Sequence, residues 1–162
     1  MKRLSILTLA MIALLGFMTI TVWAGPHFNS CGASGVNSDG SLNASFKIAG
    51  LGDNVTVNVT ASAHADATYG CRNRGEQCPN AANKVNVQSD VSASGAFQSG
   101  KNGSVSASLT VDPPSTTLTC PGGQKLVLVS VSYTNLSVSA PGAGTAAVPP
   151  GTFAANFYPQ CP

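Results

Sequence analysis

Strict alternation of apolar and polar residues is the feature that most constrains the fold of this chain. Apolar side chains at every second position turn one face of an extended strand toward a core and the other toward water. The clearest segment, residues 124–139, reads QKLVLVSVSYTNLSVS, and Val127, Val129, Val131 and Tyr133 share one face of it. Further rows of the same kind occupy residues 42–48, 55–61, 65–71, 85–91 and 105–111. The alternation predicts an all-β protein.

The apolar row of the last long segment changes phase once. After Tyr133, apolar residues resume at Leu136 and Val138, which have the opposite parity. A single extra residue in a strand moves every later side chain to the other face. We therefore predict a β-bulge at Thr134-Asn135, which returns the apolar residues to the core.

Turn residues separate the alternating segments into short strands. Asp39-Gly40 and Asn102-Gly103 favour tight hairpins, and the second predicts a hairpin between residues 91–97 and 105–111. The Pro-, Gly- and Ala-rich residues 140–151 are predicted to be a linker before a final strand. This spacing favours an antiparallel β-sandwich of immunoglobulin-like architecture, with a small β-barrel or a jelly roll as the alternative.

The beginning of the chain, residues 1–24, has the pattern of a secretory signal peptide. Lys2 and Arg3 precede an apolar run over residues 4–22, and Val22-Trp23-Ala24 suits a signal peptidase. We expect residues 25–162 to be one domain that is secreted, or periplasmic if the host has an outer membrane. No second apolar run there is long enough to span a bilayer.

The charge balance narrows the classes of partner. Without Lys2 and Arg3, the basic residues fall from 8 to 6 and equal the 6 acidic ones. Binding to nucleic acid requires clustered Lys and Arg, so a neutral domain argues against a nucleic-acid partner. Electrostatic attraction to an anionic membrane is disfavoured for the same reason. An extracellular protein or a glycan is the expected partner.

The cysteines agree with an oxidising compartment but leave their pairing open. Cys31, Cys71, Cys78, Cys120 and Cys161 all follow the signal-like segment, and an odd number leaves at least one unpaired. Cys71 and Cys120 can both lie on inward rows, which makes a bridge across the core possible. Cys71 with Cys78 is the local alternative. We expect the leftover thiol to be buried and inert; an intermolecular disulfide and a nucleophile are the other interpretations.

Residues 71–83 form the densest charged stretch in a nearly uncharged domain. This stretch holds Arg72, Arg74 and Glu76 and is predicted to lie at an end of the sandwich, where binding loops usually sit. Tyr158 is the aromatic residue expected to be available to a ligand. These four side chains are the predicted binding residues, and a solvated loop held by a disulfide is the alternative.

No catalytic, metal or cofactor site is predicted. His64 and Asp66 should face the same side of a strand and could orient a general base, but no nucleophile motif accompanies them. The turns at 37–41 and 52–54 resemble calcium loops with too few carboxylates. Copper binding by His27 would need the chain trimmed to that residue and a second ligand.

Five sequons provide acceptors for N-linked glycans if the host glycosylates its secreted proteins. Their asparagines are Asn43, Asn54, Asn58, Asn102 and Asn135. Asn43 and Asn58 are predicted on outward faces and Asn102 at the tip of a turn, so these three positions suit attachment.

Three short motifs connect this chain with a group of proteins. They are Tyr69-Gly70-Cys71-Arg72-Asn73, the Asn102-Gly103 turn, and Cys120-Pro121-Gly122-Gly123 before the strand LVLVSVSYTNL. In these motifs the chain resembles small secreted β-rich proteins, mostly bacterial, of unknown function. It departs from them at residues 74–79, which carry an added cysteine. The resemblance implies a Cys71–Cys120 bridge and a secreted β fold, and it implies no activity.

The expected role follows from these observations. We expect a secreted, non-enzymatic β-sandwich with a structural, surface or binding role and a partner still to be found. A carbohydrate- or cell-wall-binding module is the first alternative, and a small secreted enzyme is the second.

Overall fold

The computed structural model describes residues 25–75 and 83–158, which form antiparallel strands and almost no helix. In chain order, the strands are β1 (His27–Val36), β2 (Leu42–Ala49), β3 (Thr56–Arg72), β4 (Lys84–Gln98), β5 (Val105–Val111), β6 (Lys125–Ala140), β7 (Gly144–Ala147) and β8 (Thr152–Asn156). The signal-like segment 1–24 and the candidate residues Glu76, Cys78 and Cys161 lie outside the described residues.

The strands form two sheets that pack face to face. Sheet A has three strands in the order β1-β2-β5, and sheet B has five, in the order β4-β3-β6-β7 with β8 also on β6. β7 pairs with residues 137–140 of β6, and β8 pairs with residues 130–134 on the same edge. The predicted all-β antiparallel sandwich is confirmed.

The alternating rows meet between the sheets and form the core. On β2 and β3, Leu42, Ile48, Val59 and Ala65 have no exposed surface, and along each strand buried residues alternate with more exposed ones. Burial of one such aliphatic side chain contributes roughly 1.5–3 kcal/mol. Tyr133 is also fully buried, and its hydroxyl group donates a hydrogen bond within the core.

The predicted bulge in β6 is confirmed. Ser62 lies opposite Ser137 but His64 lies opposite Thr134, so β6 holds one extra residue there. Asn135 lies at this bulge and has a φ of 56°. Asparagine is enriched among the non-glycine residues that adopt this left-handed conformation.

A second register shift in β6 escaped the sequence analysis. Thr68 lies opposite Ser130, whereas its neighbour Tyr69 lies opposite Leu128. Leu128 therefore packs against the core, and Val127 lies opposite Gly70 on the outer face. The prediction that Val127 shares a face with Val131 is wrong, because the extra residue inverts the parity of the strand.

The two predicted hairpin turns differ in outcome. Asp39-Gly40 lies between β1 and β2, which pair with each other, so this hairpin is confirmed. Asn102-Gly103 leads from β4 in sheet B to β5 in sheet A, so the prediction of a hairpin is wrong. The hydroxyl group of Ser99 donates to the Gly52 oxygen over 2.7 Å and ties the end of β4 to the loop before β3. The next strand, β5, then pairs with β2 in sheet A.

The predicted linker at residues 140–151 is wrong in part, because it contains β7. The Ala143 N–H donates to the Ala140 oxygen over 3.2 Å and closes a turn. β7 then runs back along the end of β6. A four-residue strand of small residues gives no alternation signal, and its pairing is supplied by the free edge of β6.

Candidate functional site

A cleft of about 460 Å³ opens where β3 ends and β6 begins. Its lining residues are Arg72, Asn73, Arg74, Gly123, Gln124, Lys125, Val127 and Tyr158. Three of the four predicted binding residues therefore meet in one place, and the fourth, Glu76, lies outside the described residues. Lys125 was not predicted, because it is distant in sequence and only the pairing of β3 with β6 brings it here.

Two basic residues face each other across the cleft's floor. Arg72 and Lys125 are direct partners in the register of β3 and β6. Their register brings both side chains to one face of the sheet at the cleft, where an anionic group of a ligand could contact both.

Tyr158 is held over the cleft by Arg72. The guanidinium carbon lies 4.2 Å from the centre of the tyrosine ring, which is the geometry of a cation–π contact. The Tyr158 N–H donates to Asn156 Oδ1 over 3.1 Å and fixes the backbone. The ring is half-buried, so it forms a fixed wall of the cleft.

The cleft is positively charged although the domain is neutral. Arg72, Arg74 and Lys125 line it, and no carboxylate does so among the described residues. Arg74 and Lys125 are exposed. These three cations are half of the 6 basic residues that follow the signal-like segment. Within an otherwise weakly charged surface, this end presents a local positive field that favours acidic ligands.

Gln124 supplies an unused hydrogen-bond acceptor. Its Oε1 atom is buried and has no hydrogen-bond partner in the part of the chain that the structure describes. A buried polar atom without a partner lowers stability by about 1–3 kcal/mol. The residue is held by a backbone turn in which its own N–H donates to the Pro121 oxygen over 3.1 Å. A ligand hydroxyl group can satisfy this acceptor.

A disulfide joins the two walls of the cleft. Cys71 and Cys120 are bonded, with their Cα atoms 5.5 Å apart, so this pairing is confirmed over the local alternative with Cys78. Cys71 is 1 % exposed and directly precedes Arg72. Cys120 directly precedes the turn that leads to Gln124 and Lys125. The bond therefore ties the end of β3 to the segment that leads into β6.

Cys31 is a free thiol on β1, half-buried against the core. Burial raises the pKa of this thiol. The thiolate is the nucleophilic form of cysteine, so a raised pKa lowers reactivity near neutral pH.

The candidate pair His64 and Asp66 shares the outer face of β3, as predicted, but each side chain has other partners. His64 Nδ1 lies 2.8 Å from Asp90 Oδ1 on β4. Asp66 accepts hydrogen bonds from Asn86 and Gln88, each over 2.7 Å. Cross-strand neighbours are closer than residues two apart on one strand. The His64–Asp90 pair lies in solvent, with side chains 45 % and 92 % exposed.

The five sequon asparagines occupy different environments. Asn54, Asn58, Asn102 and Asn135 are exposed. Asn43 is half-buried, and its Oδ1 accepts a hydrogen bond from the Thr110 hydroxyl group over 2.7 Å. Asn43 is less exposed than the other four, so those four positions suit attachment better.

Within residues 25–75 and 83–158, the structure has neither a metal-binding group nor a membrane-spanning helix. No group of three or more His, Cys, Asp or Glu side chains is placed to hold a metal ion there. Within the same ranges, no helix has the length and apolar character needed to cross a membrane.

No family model, no curated protein and no solved structure matches this chain.

Proposed function

We propose that this chain is a secreted, non-enzymatic β-sandwich binding protein, and that its cleft holds an acidic polysaccharide. The observation that carries the proposal is that Arg72, Arg74 and Lys125 line one cleft, with no carboxylate among the described lining residues. A carboxylate bound there would gain charge-assisted hydrogen bonds from these cations.

The remaining lining groups favour an acidic sugar over a simple anion. Gln124 Oε1 can accept a hydrogen bond from a sugar hydroxyl group. Tyr158 and Val127 offer apolar surface to the less polar face of a sugar ring. A uronic acid combines a carboxylate, several hydroxyl groups and such a face, so its chemistry corresponds to that of the cleft.

The proposed location and the non-enzymatic role have separate support. The signal-like segment and the Cys71–Cys120 bond are typical of an oxidising compartment. The exposed pair His64 and Asp90 is not among the residues that line the cleft. The raised pKa of Cys31 makes that thiol a weak nucleophile. We also propose kinship with the small secreted β-rich proteins that the motifs resemble.

A pull-down experiment tests the binding proposal. The mature protein is incubated with insoluble polygalacturonic acid and, as the neutral counterpart, with cellulose, and the polymers are then pelleted. We expect depletion from the supernatant by the acidic polymer alone, with release by added salt, since salt screens exposed charges. Soluble galacturonate oligomers should compete.

Charge-removing variants localise the binding. Arg74→Gln with Lys125→Gln removes two exposed cations of the cleft and should weaken binding by roughly tenfold or more. Lys47→Gln with Lys101→Gln removes two exposed cations that do not line the cleft and is the matched control, with unchanged binding expected. Equal depletion by both polymers, or an equal loss in the control, contradicts the proposal. Depletion by neither polymer also contradicts it and would point to a protein partner.

A further inference from the structure

The outer edge of β4 is open. β4 is the first strand of sheet B, with β3 on one side and no strand on the other among the described residues. It is 15 residues long, whereas strands in globular proteins most often have about 5–6 residues. An open edge presents a row of backbone N–H and C=O groups that can pair with another strand.

This edge lacks the usual protection against pairing. Natural proteins protect their edge strands with prolines, charged side chains or bulges. β4 contains no proline, and Asp90 is the one charged residue between its ends. Its pairing with β3 continues without a register shift from Lys84 to Gln98. The edge is therefore long and regular, and no described strand covers it.

We propose that two copies of this chain pair through their β4 strands, antiparallel and about a two-fold axis at Val91. Such pairing would join the two copies of sheet B into one continuous sheet. The inference concerns a surface distinct from the cleft and does not rest on the proposed polysaccharide binding.

The axis at Val91 follows from the length and side chains of β4. Val91 is the central residue of Lys84–Gln98, so this axis pairs the strand over its whole length. An axis at the preceding residue would place Asp90 directly opposite its own copy, which is unfavourable for like charges. With the axis at Val91, Asp90 lies opposite Ser92 of the other copy, and no like charges are opposed.

The inward face of β4 also suits this register. Val85 would lie opposite Phe97 of the other copy, and Val91 opposite its own copy. In the single chain, Val91, Ala93 and Phe97 are half-buried and pack against the core from one side only. Apolar cross-strand pairs stabilise antiparallel sheets, and pairing of the edges would cover the remaining apolar surface.

The test combines self-association with a change of charge at one exposed position. Sedimentation velocity of the mature protein, from micromolar to millimolar concentration, should show a monomer–dimer equilibrium. In the dimer of Ser92→Glu, each new carboxylate would lie opposite Asp90 of the other copy, which gives two repulsive pairs related by the axis. This variant should raise the dimer Kd roughly tenfold or more. Ser92→Lys would face the same carboxylates with the opposite charge and should leave Kd equal or lower.

A matched control lies one strand further into the sheet. Ser62 is the direct partner of Ser92 on β3, so Ser62→Glu adds the same charge in the same row away from the edge. It should not change Kd. Thermal unfolding of each variant shows whether the fold is intact. For the unchanged chain, hydrogen exchange of the β4 amides should slow as concentration rises.

Three results would overturn the proposal. The first is a monomer at every concentration. The second is a dimer whose Kd shifts equally with Ser92→Glu and Ser92→Lys. The third is protection of the β4 amides that does not depend on concentration and arises only when another protein is added. That result would mean that the edge binds a different partner.

Discussion

The hydroxyl group of Tyr133 donates a hydrogen bond to the backbone oxygen of Gly40 over 2.7 Å, and this bond links the two sheets across the core. Tyr133 belongs to β6 in sheet B, and Gly40 lies in the turn between β1 and β2 of sheet A. Burial raises the pKa of Tyr133 well above its ordinary value, and the negative charge of Asp112 adds to the effect. The bond therefore requires the neutral phenol.

Tyr133→Phe should destabilise the fold by about 1–3 kcal/mol, because the Gly40 oxygen loses its buried donor. Urea unfolding near neutral pH measures this change. Above about pH 10, tyrosine in the unfolded chain ionises while folded Tyr133 stays neutral. Its contribution to stability is complete below that pH and is lost as the pH rises.

The variant should therefore show a shallower loss of stability at alkaline pH than the unchanged chain. Part of the slope should remain, since burial also raises the pKa of Tyr69. Identical alkaline slopes for the two proteins would show that Tyr133 ionises freely in the fold.

Gly40→Ala and Gly35→Ala form a pair that separates backbone strain from collision. The φ angles are +91° at Gly40 and +92° at Gly35. Alanine at either position would adopt a left-handed backbone conformation, which costs roughly 1–2 kcal/mol. A Cβ atom at Gly35 meets no atom within 4 Å, but one at Gly40 collides with the Leu128 side chain. Gly40→Ala should lose about 1–3 kcal/mol more. Equal unfolding midpoints in urea would argue against tight packing of Leu128 on this turn.

Removal of the disulfide by Cys71→Ala with Cys120→Ala should lower stability by roughly 2–4 kcal/mol, because the bond closes a long loop in the unfolded chain. The bonded residues are 49 positions apart. Thermal unfolding without reductant measures the loss. Cys31→Ala is the control, since this thiol is free and only half-buried, and its midpoint should move much less. A larger shift in the control than in the double variant would reverse the assignment of structural roles.

The bulge in β6 can be tested at Asn135, whose φ is 56°. Asn135→Ala should cost about 1 kcal/mol, whereas Asn135→Gly should be nearly neutral, because glycine adopts this conformation readily. The side chain is exposed, so lost packing is not a competing cause. Chemical denaturation of both variants decides the matter, and an equal loss in the two would place the strain elsewhere in the strand.

One of the two register shifts in β6 could be predicted from the sequence, and the other could not. The bulge at Asn135 was visible because polar residues separate Tyr133 from Leu136, so the change of parity leaves a mark. The shift near Leu128 was hidden because residues 126–129 are all apolar. Either face of that segment could have been the inner one. Only the packing of sheet A against sheet B distinguishes them.

The candidate site was predictable in part for a similar reason. Arg72 and Arg74 were noticed because charge is rare in this chain, and rarity is visible in sequence. Lys125 and the His64–Asp90 pair were missed because they depend on register between strands that are distant in sequence. The Asn102-Gly103 pair likewise predicted a turn correctly, while the destination of the following strand depended on its pairing with β2, which is distant in sequence.

The position of the Cys71–Cys120 bond determines when the cleft is completed as the chain folds and oxidises. Each wall of the cleft begins at one of the bonded cysteines. The pairing of β3 with β6 sets the spacing of Arg72 and Lys125 by itself, and the bond adds an anchor for the turn that carries Gly123 and Gln124. Under the proposed function, a chain that has not been oxidised would have the two cations without the anchored turn, and we expect it to bind acidic polymers more weakly than the oxidised chain.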